Sequence, residues 1–373
     1  MSKSKIAIKR CSDYQRNKIE IAVREAIDLL GGISAFIKPK TKVLVKPNLL
    51  MAKDPEAGIT THPEIVRAVI KLLKEIDCQV YLGDAPSVWG NQIQNVDQVY
   101  EKTGMKAIAR EEKITVVDFD KRRWRGDFPL TTWLDECDAF VNIPKFKTHN
   151  FTILTGAVKN LYGLVSGTYK TELHKRYFDK EDFARVLAQI YKQAKPALTV
   201  VDAIVAMEGD GPSSAGKLRN TGLIVAGVDG VAIDSVLAKI MGIEPEVVAT
   251  TKYARILGLG ISDLKQIEVV GEALSDCIGK PFILPKPAMT SKLPPQLVNF
   301  LKGLVRYWPK VLPSKCIRCQ ACVRACPQKI IRLEDDRIKI NYKGCISCFC
   351  CLEVCPQEAI VLRKSFFAKM LGL

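Results

Sequence analysis

Nine cysteines fall between Cys316 and Cys355, and eight of them repeat one spacing. They read Cys316-Ile-Arg-Cys319-Gln-Ala-Cys322-Val-Arg-Ala-Cys326-Pro327 and Cys345-Ile-Ser-Cys348-Phe-Cys350-Cys351-Leu-Glu-Val-Cys355-Pro356. Each run is C-x2-C-x2-C-x3-C-P, which suits a cubane [4Fe–4S] cluster: three close thiolates wrap one cube, and the fourth reaches the other. The spacing predicts one cluster on Cys316, Cys319, Cys322 and Cys355. It predicts a second on Cys345, Cys348, Cys351 and Cys326.

The two runs are also an internal repeat, with eight identities in sixteen aligned positions. The alignment excludes Cys350 as a ligand, because Cys351 alone keeps the x3 gap to Cys355. Disulfides do not fit a chain without a secretion signal. Zinc sites pair two C-x2-C knuckles without the trailing Cys-Pro. The stretch reads as a bacterial-type ferredoxin module.

That module takes only the last ~60 of 373 residues, and a 47% hydrophobic composition can bury a separate core in the rest. Cys11, Cys78, Cys137 and Cys277 are scattered and, with Cys350, are expected as free thiols. Oxygen-sensitive clusters beside free thiols point to a reducing cytoplasm. The start, MSKSKIAIKR, lacks a signal-peptide core, and no apolar run approaches the ~20 residues of a spanning helix. Net charge is +16, and eleven Lys or Arg but no acid lie between Cys277 and Leu333. Such a basic stretch suits an acidic ferredoxin- or flavodoxin-type carrier, whose encounter rate charge would raise. No nucleic-acid recognition motif accompanies it.

Residues 1–275 alternate β-branched runs with helical patterns. Strands are expected at 5–9, 42–46, 79–82, 114–118, 139–143, 198–202, 223–228 and 267–270. Helices are expected at 18–30, 62–76, 97–103, 154–162, 181–193 and 233–241. The alternation predicts a layered α/β domain with a largely parallel sheet, followed by a small α+β ferredoxin-like domain at 313–373. Seven prolines from Pro281 to Pro313 mark 276–312 as a basic linker, interrupted by an amphipathic segment, Leu297–Trp308. That segment is expected to pack on the α/β domain. Peripheral membrane contact, together with the tail Phe366–Leu373, is the alternative.

Ligands of such sheets bind beyond the carboxyl ends of the strands. Those ends carry Lys46 and Asn48, Asp84, then Lys145, Lys147 and His149, then Lys159 and Asn160, and finally Asp202 and Glu208. The lysines suit a carboxylate or phosphate. The three histidines, His62, His149 and His174, stand in or near these loops, where Asp84, Asp202 or Glu208 would complete a metal site or an acid–base pair. The glycine-rich stretch Glu208–Gly216 is a further place for backbone N–H groups to meet an anion. Neither a nucleotide fingerprint nor a nucleophile elbow is present.

KPNLL (46–50), GDAPSVWG (83–90), VNIPKFKTHNFTILTGAVKNLYG (141–163) and DGVAID (229–234) resemble the family called domain of unknown function 362. The resemblance spans roughly residues 5–270. Members of that family often carry an appended two-cluster ferredoxin module. The resemblance implies one site built from Lys46, Asn48, Asp84, Lys147, His149, Lys159, Asn160, His174 and Asp202. Within it, His149, His174, Lys147, Lys159, Asp84 and Asp202 are the catalytic candidates. Lys46, Asn48 and Asn160 are the binding candidates.

The fusion favours an oxidoreductase passing electrons between a carrier and an anionic substrate or cofactor. The alternatives are a non-enzymatic electron-transfer or adaptor subunit, and a metal-dependent cofactor-maturation factor. The last leaves room for an additional metal or small-molecule cofactor in the α/β domain. Oligomeric state does not follow from the sequence.

Overall fold

The computed structural model describes residues 3–86, 96–166, 169–177, 179–213, 216–285, 307–357 and 359–364. Lys42-Val-Leu-Val-Lys46 is the clearest local determinant: a short β-branched run between two lysines, buried on both sides as a central strand must be. It forms β2 (Lys42–Pro47). Around it stand β1 (Ser4–Arg10), β3 (Gln79–Leu82), β4 (Thr115–Val116), β7 (Ala139–Ile143), β10 (Leu198–Gly209), β11 (Gly216–Gly227) and β12 (Ile267–Gly271). Their order is β12-β1-β11-β10-β7-β2-β3-β4, with β8 (Lys145–His149) added on β10 and β9 (Ile153–Thr155) on β8. A separate hairpin pairs β5 (Arg122–Arg125) with β6 (Phe128–Thr131).

Along the main path only β11 runs against its neighbours. Helical crossovers return the chain in the same direction, whereas the short turn after β10 can only give an antiparallel hairpin. The carboxyl ends of β1, β2, β3 and β7 therefore share one edge.

Side chains alternate across the sheet, so the two faces have separate cores. Ala7, Val43, Val45, Val141 and Val200 pack against the helices Arg16–Asp28 and Pro63–Glu75. Ile6, Ile8, Val201 and Val225 face the helix Gly230–Ile240. Leu44 and Phe140, on that same side, face the helix Lys180–Gln193. The result is a three-layer α/β domain, as the alternation predicted.

Three expectations change. The 154–162 helix is broken: Leu154 belongs to β9, Gly156 is extended, and the helical part is the single turn Ala157–Asn160 followed by a 3-10 turn at Leu161–Leu164. The strand expected at 114–118 keeps Thr115–Val116. The linker shortens at both ends, because Phe282 and Leu284 are buried in the α/β core and Tyr307–Val311 is a strand of the C-terminal module. Residues 297–306 of the amphipathic segment, and the tail 366–373, lie outside the described residues.

The C-terminal module pairs β13 (Tyr307–Val311) with β16 (Ile360–Lys364), and β14 (Ile331–Glu334) with β15 (Arg337–Ile340). The sequence repeat reappears in the backbone. Arg318 and Gln320 have φ of 58° and 59°, and the matching Ser347 and Phe349 have 53° and 60°. Each cysteine loop thus carries two non-glycine residues in the left-handed region, which costs about 1 kcal/mol or more apiece.

Asp229 opens the DGVAID segment and ties three elements together. Its Oδ1 accepts from Val231 and Ala232 N–H, capping the helix. Its Oδ2 accepts from Ser4 Oγ at 3.0 Å and Ile261 N at 2.9 Å. Asp229→Ala should cost about 3 kcal/mol, the sum of a lost cap and an orphaned buried donor. Urea denaturation checks this, and a loss below about 1 kcal/mol would contradict the staple role.

Candidate functional site

In the C-terminal module Cys316, Cys319, Cys322 and Cys355 line one small recess. Cys345, Cys348, Cys351 and Cys326 form a second neighbourhood. Burial, then the nearness of Cys348 and Cys345, pushes the Cys351 thiol well above its ordinary range. Burial likewise pushes Cys322 up to about 11. Thiols packed this way stay protonated unless a metal displaces the protons. Sulfur donors carried on left-handed loops fit a cubane cluster. Cys350 is buried among Ala321, Ala325, Cys348 and Val354 and is in neither group. Cys11, Cys78, Cys137 and Cys277 form no disulfide.

At the carboxyl edge of the sheet the expected residues divide between its two faces. On one face Lys46 Nζ lies 2.8 Å from Asp84 Oδ1, with both side chains buried. Asp84 Oδ1 accepts no formed hydrogen bond, so this contact is electrostatic, while Oδ2 accepts from Leu49 N at 2.8 Å. A Cβ on Gly163 would collide with both Asp84 Oδ1 and Lys46 Nζ, which explains the glycine in Asn160-Leu-Tyr-Gly163. Lys170 Nζ donates to the Ala85 carbonyl. Burial lowers the Lys170 amine to about 7; Asp84 resists, and Lys46 and Lys159 add to the fall. Burial also lowers Lys46, against the pull of Asp84.

Beside this pair an amide ladder joins the ends of β2 and β7 to the short helix Ala157–Asn160. Asn48 Nδ2 donates to Asn160 Oδ1 at 2.9 Å, Asn160 Nδ2 to Asn142 Oδ1 at 2.8 Å, and Asn142 Nδ2 to the Ala157 carbonyl at 3.0 Å. Asn48 Oδ1 is buried and accepts nothing from the protein. Asp234 accepts from Ala157 and Val158 N–H, and burial pushes its carboxyl up to about 7.

On the other face Lys145 Nζ lies 2.9 Å from Asp202 Oδ2 and 2.7 Å from the Tyr14 hydroxyl. Tyr14 donates to Asp202 Oδ1 at 2.8 Å and accepts from Val205 N at 3.1 Å. Burial, then the Asp202 charge, pushes the Tyr14 phenol far up. His62 stacks on Tyr14 with ring centroids 3.8 Å apart. Its backbone N–H donates to Asp202 Oδ2, and its Nδ1 caps a helix by accepting from Glu64 N. Burial lowers the His62 imidazole, against the pull of Asp202. His62 therefore does not join Asp84.

Lys147 and His149 sit further along β8, both buried. Lys147 Nζ donates to the Ile59 carbonyl, and His149 Nδ1 accepts from Phe151 N at 3.0 Å and Thr152 N at 3.3 Å. Where the 208–216 stretch meets β8 and Asn150 it offers carbonyls: Thr148 Oγ1 donates to Gly209 O and Asn150 N to Gly211 O. Glu208 pairs with Arg219. His174 lies in the helix Tyr169–Arg176, but its side chain is outside the described set. Among the described residues no three His, Cys, Asp or Glu converge on a single-ion metal site, and no helix is long and apolar enough to cross a membrane.

Residues 43–239 match the family described as domain of unknown function (DUF362). Residues 309–356 match the 4Fe-4S dicluster domain, so the C-terminal module is an iron–sulfur domain. The thylakoid-associated protein sll1697 of Synechocystis sp. is 31% identical over 261 residues, covering 68% of this chain and 79% of its own. The lactate racemase apoprotein of Thermoanaerobacterium thermosaccharolyticum aligns at a TM-score of 0.38 and 15% identity, over 69% of this chain and 57% of that one. So low a score carries no argument. The match over more than half the chain, and the relative that shares it at 31% identity, show that this chain belongs to the DUF362 family.

Proposed function

We propose that this chain is an oxidoreductase that moves electrons between a ferredoxin- or flavodoxin-type carrier and a small anionic substrate at the Lys46–Asp84 site. The observation that carries this reading is a contact between the two halves: Lys53 Nζ donates to the Pro356 carbonyl at 3.4 Å. Pro356 follows Cys355, and Lys53 lies four residues beyond Leu49, whose N–H holds Asp84. Two [4Fe–4S] clusters, on the two cysteine sets named above, would supply one-electron traffic at low potential.

The chain's own residues supply the rest. Lys46 and Lys170 face one carboxylate, Asp84, a cationic excess that an anion would offset. Tyr14, held between Lys145 and Asp202, keeps a proton at the adjoining edge. Oxygen-sensitive clusters and unpaired thiols support a reducing, cytoplasmic setting. A second reading, a non-enzymatic electron-transfer subunit, draws support from the likeness to a thylakoid-associated protein. The experiments below separate the two.

Reconstituted protein should contain about eight iron and eight sulfide per chain. Cys355→Ser should lose about half of each, and Cys350→Ser should lose none. A Cys350→Ser protein lacking half its iron would refute the ligand sets.

Protein reduced with dithionite and freed of excess reductant should be reoxidised by at least one member of a panel of small oxo-acids, enoates and phosphate esters. Lys46→Ala should slow that reaction roughly 100-fold, the usual scale for losing one buried charge-stabilising donor. If no panel member reoxidises the wild type, the enzyme reading falls and the subunit reading stands.

The same reaction should weaken as pH rises through about 7, where Lys170 loses its charge. A base whose folded value is lowered is cationic only below that value, so anion affinity is present on the acid side. Lys170→Gln should remove this step from the pH profile, and an unchanged profile would exclude Lys170 from the anion site.

A further inference from the structure

Among the described residues Ile317 is the most exposed large apolar side chain, at 61%. It stands between Cys316 and Cys319 and lines the same recess as those thiols. Cys319 is exposed, whereas Cys322, Cys326, Cys348 and Cys351 are buried. The side chains flanking this edge are cationic. Lys315, Arg318 and Arg324 are all exposed, and Arg324 Nη2 donates to the Cys319 carbonyl at 3.0 Å. The acids of the module's described surface gather at the β14–β15 turn. There Asp336 meets Arg318 at 2.8 Å, and Glu334 and Asp335 meet Lys339.

We infer that the Ile317–Cys319 edge, ringed by Lys315, Arg318 and Arg324, is the docking surface for an acidic redox protein. This rests on the electron-transfer reading above and adds where the carrier binds. One apolar knob inside a basic ring gives short-range contact and long-range steering together. A second copy of this chain is disfavoured, because two surfaces of a +16 protein repel each other. A membrane is disfavoured because a single exposed isoleucine offers little apolar area to bury. The transfer is one electron: the carrier is oxidised by one, the chain is reduced by one, and no bond is made or broken. The same recess includes Pro356, whose carbonyl meets Lys53.

The test is calorimetric titration of the cluster-loaded chain with an oxidised acidic plant-type ferredoxin, where no electron flows and only binding is read. Raising salt from about 50 mM to about 300 mM should weaken binding by roughly tenfold. At the lower salt the triple variant Lys315→Glu, Arg318→Glu, Arg324→Glu should bind at least tenfold more weakly, with its salt dependence gone. Reduction by dithionite, which needs no docking, should proceed at the wild-type rate. Lys192→Glu on the exposed face of the α/β domain should change nothing. Equal binding by wild type and triple variant, or binding insensitive to salt, would overturn the inference, as would charge reversal that promotes self-association. If the triple variant loses its cluster absorbance, Lys315→Glu alone carries the test, with a threefold weakening expected and an unchanged affinity counting against it. Failure of dithionite to reduce the wild type would instead sink the electron-transfer reading itself.

Discussion

Two lysine–carboxylate pairs buried at one edge of the sheet hold the functional half of this molecule in place. Removing an ammonium and a carboxylate from water costs several kcal/mol per ion, and mutual attraction repays it only when the remaining valences are also met. Here they are met by loops. Asp84 faces Lys46 with one oxygen and takes the Leu49 N–H with the other. Asp202 takes Lys145 and the His62 N–H on one oxygen and the Tyr14 hydroxyl on the other. Each carboxylate therefore staples a loop to a strand end, and the loops after β1 and β2 and the start of the helix at Pro63 inherit their positions from buried charge. The apolar cores on either face would permit many loop arrangements. The ion pairs select one.

Much of this was legible in the sequence, for reasons that can be named. Lys42-Val-Leu-Val-Lys46 could only be a buried strand, and Gln79–Leu82 and Ala139–Ile143 were equally plain. His62-Pro63 announced a helix start because proline at the first helical position follows a capping residue. What failed was the stretch 154–162, where a local hairpin and one long-range contact override the helix. Residues 153–155 complete a ladder with β8, and Gly156 must stay free of a Cβ because the Asp234 carboxylate occupies that space. Local propensity cannot see a partner 78 residues away.

The candidate site shows the same limit. Strand-end position found Lys46, Asn48, Asp84, Lys159, Asn160 and Asp202, but could not tell that they face two sides of the sheet. That division depends on the parity of each residue along its strand and on the bulge between Ala203 and Val205. Tyr14 and Lys170 went unnoticed because each lies several residues past the element that positions it. Tyr14 had one faint signal, a lone aromatic just beyond the end of β1. The iron–sulfur character of the C-terminal module, by contrast, was carried by cysteine spacing alone, since a cube fixes how far apart its ligands can stand.

The module's backbone adds a physical reason for that reliability. Arg318, Gln320, Ser347 and Phe349 hold left-handed conformations that none of these residue types prefers. Buried thiols beside them are pushed toward protonation. Both costs fall on a cluster-free module and both are offset when thiolates bind iron, so the same residues that wrap a cluster oppose folding without one. The recess lined by Cys355 also includes Pro356, whose carbonyl meets Lys53, and Ile317. Of the four cysteines around it only Cys322 is buried, whereas three of the second group are buried. The group containing Cys355 is therefore the one more open to solvent, and the second is the one more enclosed by protein.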